Sequence, residues 1–414
     1  MKFLRTVSTQ RLLAIITGLI IAVVGGTAIA VAASNGGPKP PKESLATALH
    51  QAASAPAVDG ITARIQFTNN LIDASDLQGT DPILNGASGR LWISNNGQLR
   101  LELQGQNGDA QVVVDNGSFS IYDPMSNTVY KGTLPQHSGS SSSSSSSSKG
   151  DAIPTVAQIQ KDINQFAQDW NLVGPTPRNV AGQPAYKVRV TPKHDGGLLG
   201  SVQLAWDAAR GIPLGIAIYS NSSSTPVLEL KATSISYGSV SSKVFSIKPP
   251  AGAHVVSIGS LGGAGAAGAM HAHRAGKAGK VGKAHAQATT PAQVQAKLPF
   301  TLAAPDNLVG LNRQSVSALN WSGSPAALVT YGEGLGGIAV IEQSASGQSS
   351  QSSQSSGGGS GLSLPTVSIN GATAQELSTP LGTVLTFSTG GVRYTVLGSV
   401  PAVAANAAAK ALTS

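Results

Sequence analysis

No cysteine occurs anywhere in the 414 residues. That excludes disulfide staples, thiolate metal centres, a cysteine nucleophile and lipid attachment through an N-terminal cysteine. Charged residues make up only 11% of the chain and aromatics 4%, which suits folded pieces joined by low-complexity spacers. Catalytic patterns are scarce as well. The seven histidines show no HExxH spacing, and the many serines form no G-x-S-x-G elbow outside low complexity. We therefore expect no enzyme, no resident cofactor and no metal site.

The net charge of +8 is concentrated in two places. Lys2, Arg5 and Arg11 precede an apolar run, and Arg274, Lys277, Lys280, Lys283 and Lys297 fall in a stretch without an acid between Glu229 and Asp306. Together they account for the whole excess, so the charge reads as that of a tail and a linker, and no nucleic-acid partner is expected. Two motifs inside that stretch have plain explanations. Gly263–Gly268 matches GxGxxG but leads into a Gly/Ala/Lys tract rather than an amphipathic helix. His271, His273 and His285 lie in the same tract with no carboxylate nearby, as expected of a solvated linker.

Leu12–Ala33 is a run of 22 apolar and small residues, long enough to cross a bilayer core of ~20 residues. With positive charge only in front of it, the remainder of the chain would lie outside the cytoplasm. A cleaved signal peptide fits as well. Leu12–Val24 supplies its apolar core, Gly25-Gly26 breaks it, and Ala28-Ile29-Ala30 or Ala30-Val31-Ala32 offers a cleavage site. The expected locations are accordingly a single-pass cell-membrane protein with its C-terminus outside, or a secreted one.

Composition then divides the chain: a leader at 1–33, a Pro-rich spacer at 34–43, a first domain at 44–258, a Gly/Ala/Lys/His linker at 259–291 and a second domain at 292–414. A Ser run at 138–148 and a Ser/Gln run at 343–361 read as long loops within the domains. In the first domain, Ser44–Ala53 is a helix candidate. Arg90–Ser94 and Gln98–Leu103 alternate apolar and polar residues around Asn96-Gly97, a hairpin signal because both turn positions tolerate positive φ. Gln111–Val114 and Ser118–Tyr122 repeat the pattern around Asn116-Gly117. Thr155-Val-Ala-Gln158 is a capping box, after which Val156, Ile159, Ile163, Phe166 and Trp170 share one helical stripe. Further strands are expected at Ala185–Thr191, Ser201–Trp206, Pro213–Tyr219 and Val227–Tyr237. The second domain shows strands at Ala326–Tyr331, Gly337–Glu342, Pro365–Ile369, Gly382–Ser388 and Val392–Leu397, then an Ala-rich helix over Pro401–Leu412. The expected class is α+β: a curved antiparallel sheet with helices against its concave face, plus a small second α+β domain.

An ordered set of short patterns in the first domain resembles the LolA-like lipoprotein-carrier family and the related RseB-like sensors. They are Gly89-Arg-Leu-Trp-Ile93, Val114-Asp-Asn-Gly117 with Ile121-Tyr-Asp-Pro124, Trp206-Asp-Ala-Ala-Arg-Gly-Ile-Pro-Leu214 and Phe245-Ser-Ile-Lys-Pro-Pro-Ala-Gly252. The stretch Gly391–Pro401 with its following helix resembles the C-terminal module of RseB-like proteins. The resemblance implies a half-barrel whose apolar concave face, lidded by helices, accepts acyl chains of lipids or lipoproteins. It also implies a second class of partner, a membrane anti-sigma factor. The carrier's basic latch residue after the first hairpin strand has no counterpart in Ser94-Asn95-Asn96. Candidate cavity residues are Phe67, Trp92, Leu101, Val113, Phe119, Ile121, Trp206 and Tyr219; the plainer reading of these side chains is ordinary core packing.

Overall fold

The computed structural model describes residues 37–71, 82, 86–105, 108–134, 154–194, 196–248, 250–257, 290–321, 324–345 and 364–413. The apolar run Leu12–Ala33, the Ser run, the GxGxxG match, the three linker histidines and nearly all of the Ser/Gln run lie outside them. Among the described residues no helix is long and apolar enough to cross a membrane. The chain forms two compact units.

The first unit is built on twelve strands. They are β1 (Gly60–Asn69), β2 (Ala87–Ser94), β3 (Leu99–Leu103), β4 (Ala110–Asp115), β5 (Ser118–Asp123), β6 (Thr128–Thr133), β7 (Trp170–Val180), β8 (Gln183–Pro192), β9 (Leu199–Asp207), β10 (Pro213–Ser220), β11 (Leu228–Tyr237) and β12 (His254–Ser257). Their order is β12-β6-β5-β4-β3-β2-β1-β11-β10-β9-β8-β7. Among the described residues β12 and β7 end the order, and a twisted open sheet of more than ~10 strands commonly curls, splits or flattens. β12 pairs with β6 in parallel; the hairpins β2–β3, β4–β5 and β7–β8 are antiparallel.

The two Asn-Gly turns differ. Asn116 and Gly117 both have positive φ, 48° and 73°, the type I′ pattern whose twist matches its flanking strands. At the other turn only Gly97 does, with φ 80°. There Gly97 N–H bonds Ser94 O at 3.2 Å and Ser94 N–H bonds Gln98 O at 2.9 Å, the pattern of a turn closed by a glycine bulge. Strands β1, β6 and the edge strand β7 are additions to the expected set. Pro175 and Pro177 argue against a strand in the sequence, but an edge tolerates residues that cannot donate to a neighbour.

Among the described residues, helices α1 (Leu45–Ser54) and α2 (Val156–Phe166) accompany this sheet. Ser44 caps α1 by accepting the Thr47 N–H, and the Thr155/Gln158 capping box of α2 is formed on both sides. The apolar stripe through Trp170 is cut short. Helix α2 stops at Phe166 and Trp170 opens β7, the two rings stacking with centroids 5.7 Å apart.

The second unit has eight strands: β13 (Asn307–Leu308), β14 (Leu311–Trp321), β15 (Ser324–Tyr331), β16 (Ile338–Ser344), β17 (Thr366–Ile369), β18 (Ala372–Thr379), β19 (Gly382–Thr389) and β20 (Val392–Gly398), in the order β13-β14-β15-β16-β20-β19-β18-β17. A short helix α3 (Pro291–Gln295) precedes them and α4 (Ala402–Leu412) follows. Helix α4 presents Ala405, Ala408, Ala409 and Leu412 to a core containing Val329, Leu385 and Val396. Small side chains at these spacings let the helix lie close on the sheet, burying area at about 25 cal/mol per Å².

Candidate functional site

The strand registers assemble a continuous apolar face. Tyr237, Ile61, Ile93, Leu99, Val114 and Phe119 form one row across β11, β1, β2, β3, β4 and β5. Ile235, Ala63, Leu91, Leu101, Val112, Ile121 and Tyr130 form the next, extending to β6. Ala232, Ile65, Gly89, Leu103 and Ala110 form a third, and Leu230, Phe67 and Ala87 a fourth. Side chains alternate between faces along a strand, so these rows share one side of the sheet.

The third row contains the smallest residues. Ala232, Gly89 and Ala110 interrupt Ile65 and Leu103, so side-chain volume on the face is least there. Gly89 is also fixed by close approach, since a Cβ on it would fall 2.1 Å from the Glu102 carbonyl oxygen. Leu101, Phe119 and Ile121 are only 2–3% exposed and Phe67 6%, yet no helix residue belongs to this cluster among the described residues. Helix α1 instead covers a separate cluster on β8 and β9 formed by Tyr186, Val188 and Trp206, and α2 packs on α1. Helices α1 and α2 thus lie at the β8–β9 end of the sheet, and neither belongs to the cluster on the β1–β6 face.

The eight candidate residues divide accordingly. Phe67, Leu101, Phe119 and Ile121 come together on the apolar face. Trp206 lies under α1, 5.9 Å from the Tyr186 ring, with its buried indole N–H unpaired. Trp92 and Val113 lie on the opposite side, both paired with Arg100 in the ladder. The Arg100 guanidinium sits 5.0 Å from the Trp92 ring centroid, pairs with Glu102 at 2.6 Å and donates to Val244 O at 3.4 Å, tying the 3-10 turn Ser242–Val244 across that side. Tyr219 is also on the side opposite Phe67, because the β10–β11 register gives Ile216 and Ile218 to the Phe67 face and Ala217 to the other. It sits with Arg189 and Glu229, and burial and then the Glu229 charge push its hydroxyl above the usual tyrosine range. Trp92, Val113 and Tyr219 therefore do not line the same face as Phe67: the strand period of two sets their direction, whatever their size.

A polar network borders the apolar face. In the turn after β9, Asp207 Oδ1 accepts the N–H groups of Ala209 and Arg210, both at 2.9 Å. Asp207 Oδ2 accepts from Arg210 Nη1 at 3.1 Å and from the Tyr237 hydroxyl at 2.7 Å. The guanidinium lies 4.2 Å over the Tyr237 ring. Burial, then Asp207, drives the Tyr237 hydroxyl far above its ordinary value. Gly211 follows with φ +67°, where a Cβ would fall 2.5 Å from the Ala52 carbonyl oxygen of α1. This explains the Asp-Ala-Ala-Arg-Gly-Ile-Pro pattern: an acid to cap the turn, a buried cation to neutralise it and a glycine for the helix contact.

In the second unit, Glu342 on β16 is 0% exposed. Its Oε2 accepts the Ala303 N–H at 2.8 Å and its Oε1 has no partner. Burial pushes its carboxyl up to about 7, against a counter-pull from the Ala303 hydrogen bond. Among the described residues no group of three histidine, aspartate or glutamate side chains could hold a metal ion.

No protein-family model and no curated protein matches the chain. Solved structures do. The structural neighbours are MucB and LolA-superfamily proteins. MucB in complex with MucA is 15% identical, with 84% of this chain and 91% of MucB covered and a TM-score of 0.37. MucB alone is 17% identical over 88% of this chain and 95% of its own, with a TM-score of 0.34. A LolA superfamily protein from Nitrosomonas europaea is 10% identical over 45% of this chain and 89% of its own, with a TM-score of 0.17.

Proposed function

We propose that the first unit is a non-enzymatic, extracytoplasmic binding module that takes the acyl chains of a lipid or lipoprotein on the β1–β6 face. The observation that carries this reading is the four-row apolar surface, with its third row of small residues Ala232, Gly89 and Ala110. An acyl chain is recognised by buried apolar area and needs few polar contacts, in keeping with a face that carries almost none. Ile65, Phe67, Leu101, Leu103, Val112, Phe119 and Ile121 are the contact residues in this account.

Delipidated full-length protein should bind a fluorescent fatty acid saturably and release it to competing unlabelled lipid. Failure of folded protein to take up the probe sinks the reading. The alternative occupant is a membrane anti-sigma factor, the partner implied by the RseB-like resemblance of Gly391–Pro401 and its helix. A membrane pulldown that recovers such a protein while lipid uptake is absent would favour that alternative.

A further inference from the structure

The segment between the apolar leader and the first helix is bound to the sheet. Asn179 Nδ2 donates to Pro38 O at 3.2 Å and the Tyr186 hydroxyl donates to Pro41 O at 2.8 Å. Gly37, at φ +59°, lies so close to Asn179 that a Cβ would sit 2.3 Å from its side-chain carbonyl carbon. Gln51 on α1 donates to Glu43 Oε2 at 2.9 Å. The Pro-rich spacer at 34–43 is, from residue 37 onward, a strap laid against the β7–β8 end of the sheet.

This fixes where the chain leaves the domain. The apolar run ends at Ala33, and four Cα steps to Gly37 reach at most ~14 Å. A domain tethered so closely to a membrane-spanning leader could not turn its strap end far from the bilayer surface. That end carries the exposed cations Lys39, Lys42 and Arg178 against a partly buried Glu43, a balance that suits anionic headgroups.

We propose that the strap and the β7–β8 turn (Val180–Gln183) form a lipid-facing surface that holds the first unit against an anionic membrane in one orientation. The inference rests on Leu12–Ala33 spanning the bilayer and is independent of what the apolar face binds.

The absence of cysteine makes single-site labelling clean. Full-length Ala181→Cys, in the β7–β8 turn, and Ser118→Cys, on β5 at the other end of the strand order, would each carry a fluorophore in phosphatidylglycerol-containing vesicles doped with a headgroup quencher. The expected result is several-fold stronger quenching at 181 than at 118. Adding Asn179→Ala with Tyr186→Phe, which frees the strap, should bring the two sites together. Reversing Lys39, Lys42 and Arg178 to Glu should lower quenching at 181 in anionic but not in zwitterionic vesicles. Equal quenching at both sites, insensitivity to charge reversal, or a chain that does not float with the vesicles would overturn the proposal. Fatty-acid uptake by the same preparation separates its failure from failure of the binding reading.

Discussion

The Tyr237 hydroxyl donates to Asp207 Oδ2 at 2.7 Å, joining the end of β11 to the β9–β10 turn across one strand. The same oxygen takes the Arg210 guanidinium, which stacks on the Tyr237 ring. Asp207 is 0% and Arg210 4% exposed. A buried pair of this kind adds little net stability over an apolar replacement, but removing one member strands the other charge at a cost of ~3–5 kcal/mol. Asp207→Ala should destabilise the first unit by about that much in chemical denaturation. Tyr237→Phe removes one of several bonds to the carboxylate and should cost only about 1–2 kcal/mol. Equal effects of the two would contradict the assignment of Asp207 as the hub.

Gly211→Ala tests the contact with α1. The positive φ and the approach to the Ala52 carbonyl leave no room for a Cβ, so the cost should exceed the ~1 kcal/mol typical of strained Gly→Ala changes. Gly117→Ala is the control: its φ is +73° but nothing lies within 4 Å, so only the conformational cost should remain. Thermal melts of the two variants check the difference.

Glu342 makes the second unit's stability depend on pH. Burial raises its carboxyl from the ordinary 4.5 to about 7, so between those values the folded state binds the proton and the unfolded state does not. Stability is then greatest below about pH 4.5, falls as pH rises toward 7 and is flat above, a span of up to about 3 kcal/mol. Glu342→Gln should abolish that slope and stabilise the unit at pH 8. Denaturation of the second unit across pH 4–8 reads both effects, and an unchanged slope in the variant would assign the dependence elsewhere.

The row of small residues gives a prediction that separates a binding face from a solid core. If the space beside Ala110 is filled by ligand, Ala110→Leu should lower fatty-acid affinity by about tenfold, equal to ~1.4 kcal/mol, at little cost in melting temperature. If the face is packed solid, the extra methylenes should destabilise by ~1–3 kcal/mol.

Much of this architecture can be read from the residues, because local patterns decide it. The Asn-Gly turns mark two hairpins, Thr155 and Gln158 mark the start of α2, and alternation marks β2 to β5. The site was less legible because size drew attention where parity decides. Trp92 is the largest side chain of β2, but Leu91 and Ile93 beside it set the inner face once Ile93 pairs with Leu99. Val113 is displaced by one from Val112 and Val114 in the same way. Strand β7 is not legible locally because Pro175 and Pro177 are tolerated only at an edge, and edge position is a property of the whole sheet. The partnership of Asp207, Arg210 and Tyr237 depends on a contact across thirty residues of sequence that no local spacing announces.

The most direct test of the account labels the methyl groups of isoleucine, leucine and valine and titrates delipidated protein with a fatty acid, following methyl shifts and contacts to the acyl chain by NMR. The account predicts that Ile65, Leu103 and Val112 respond together and make acyl contacts, while Val113, one residue away on the other side of the sheet, stays unmoved. Acyl contacts at Val113, or saturating ligand with no response at Leu103 and Val112, would contradict it.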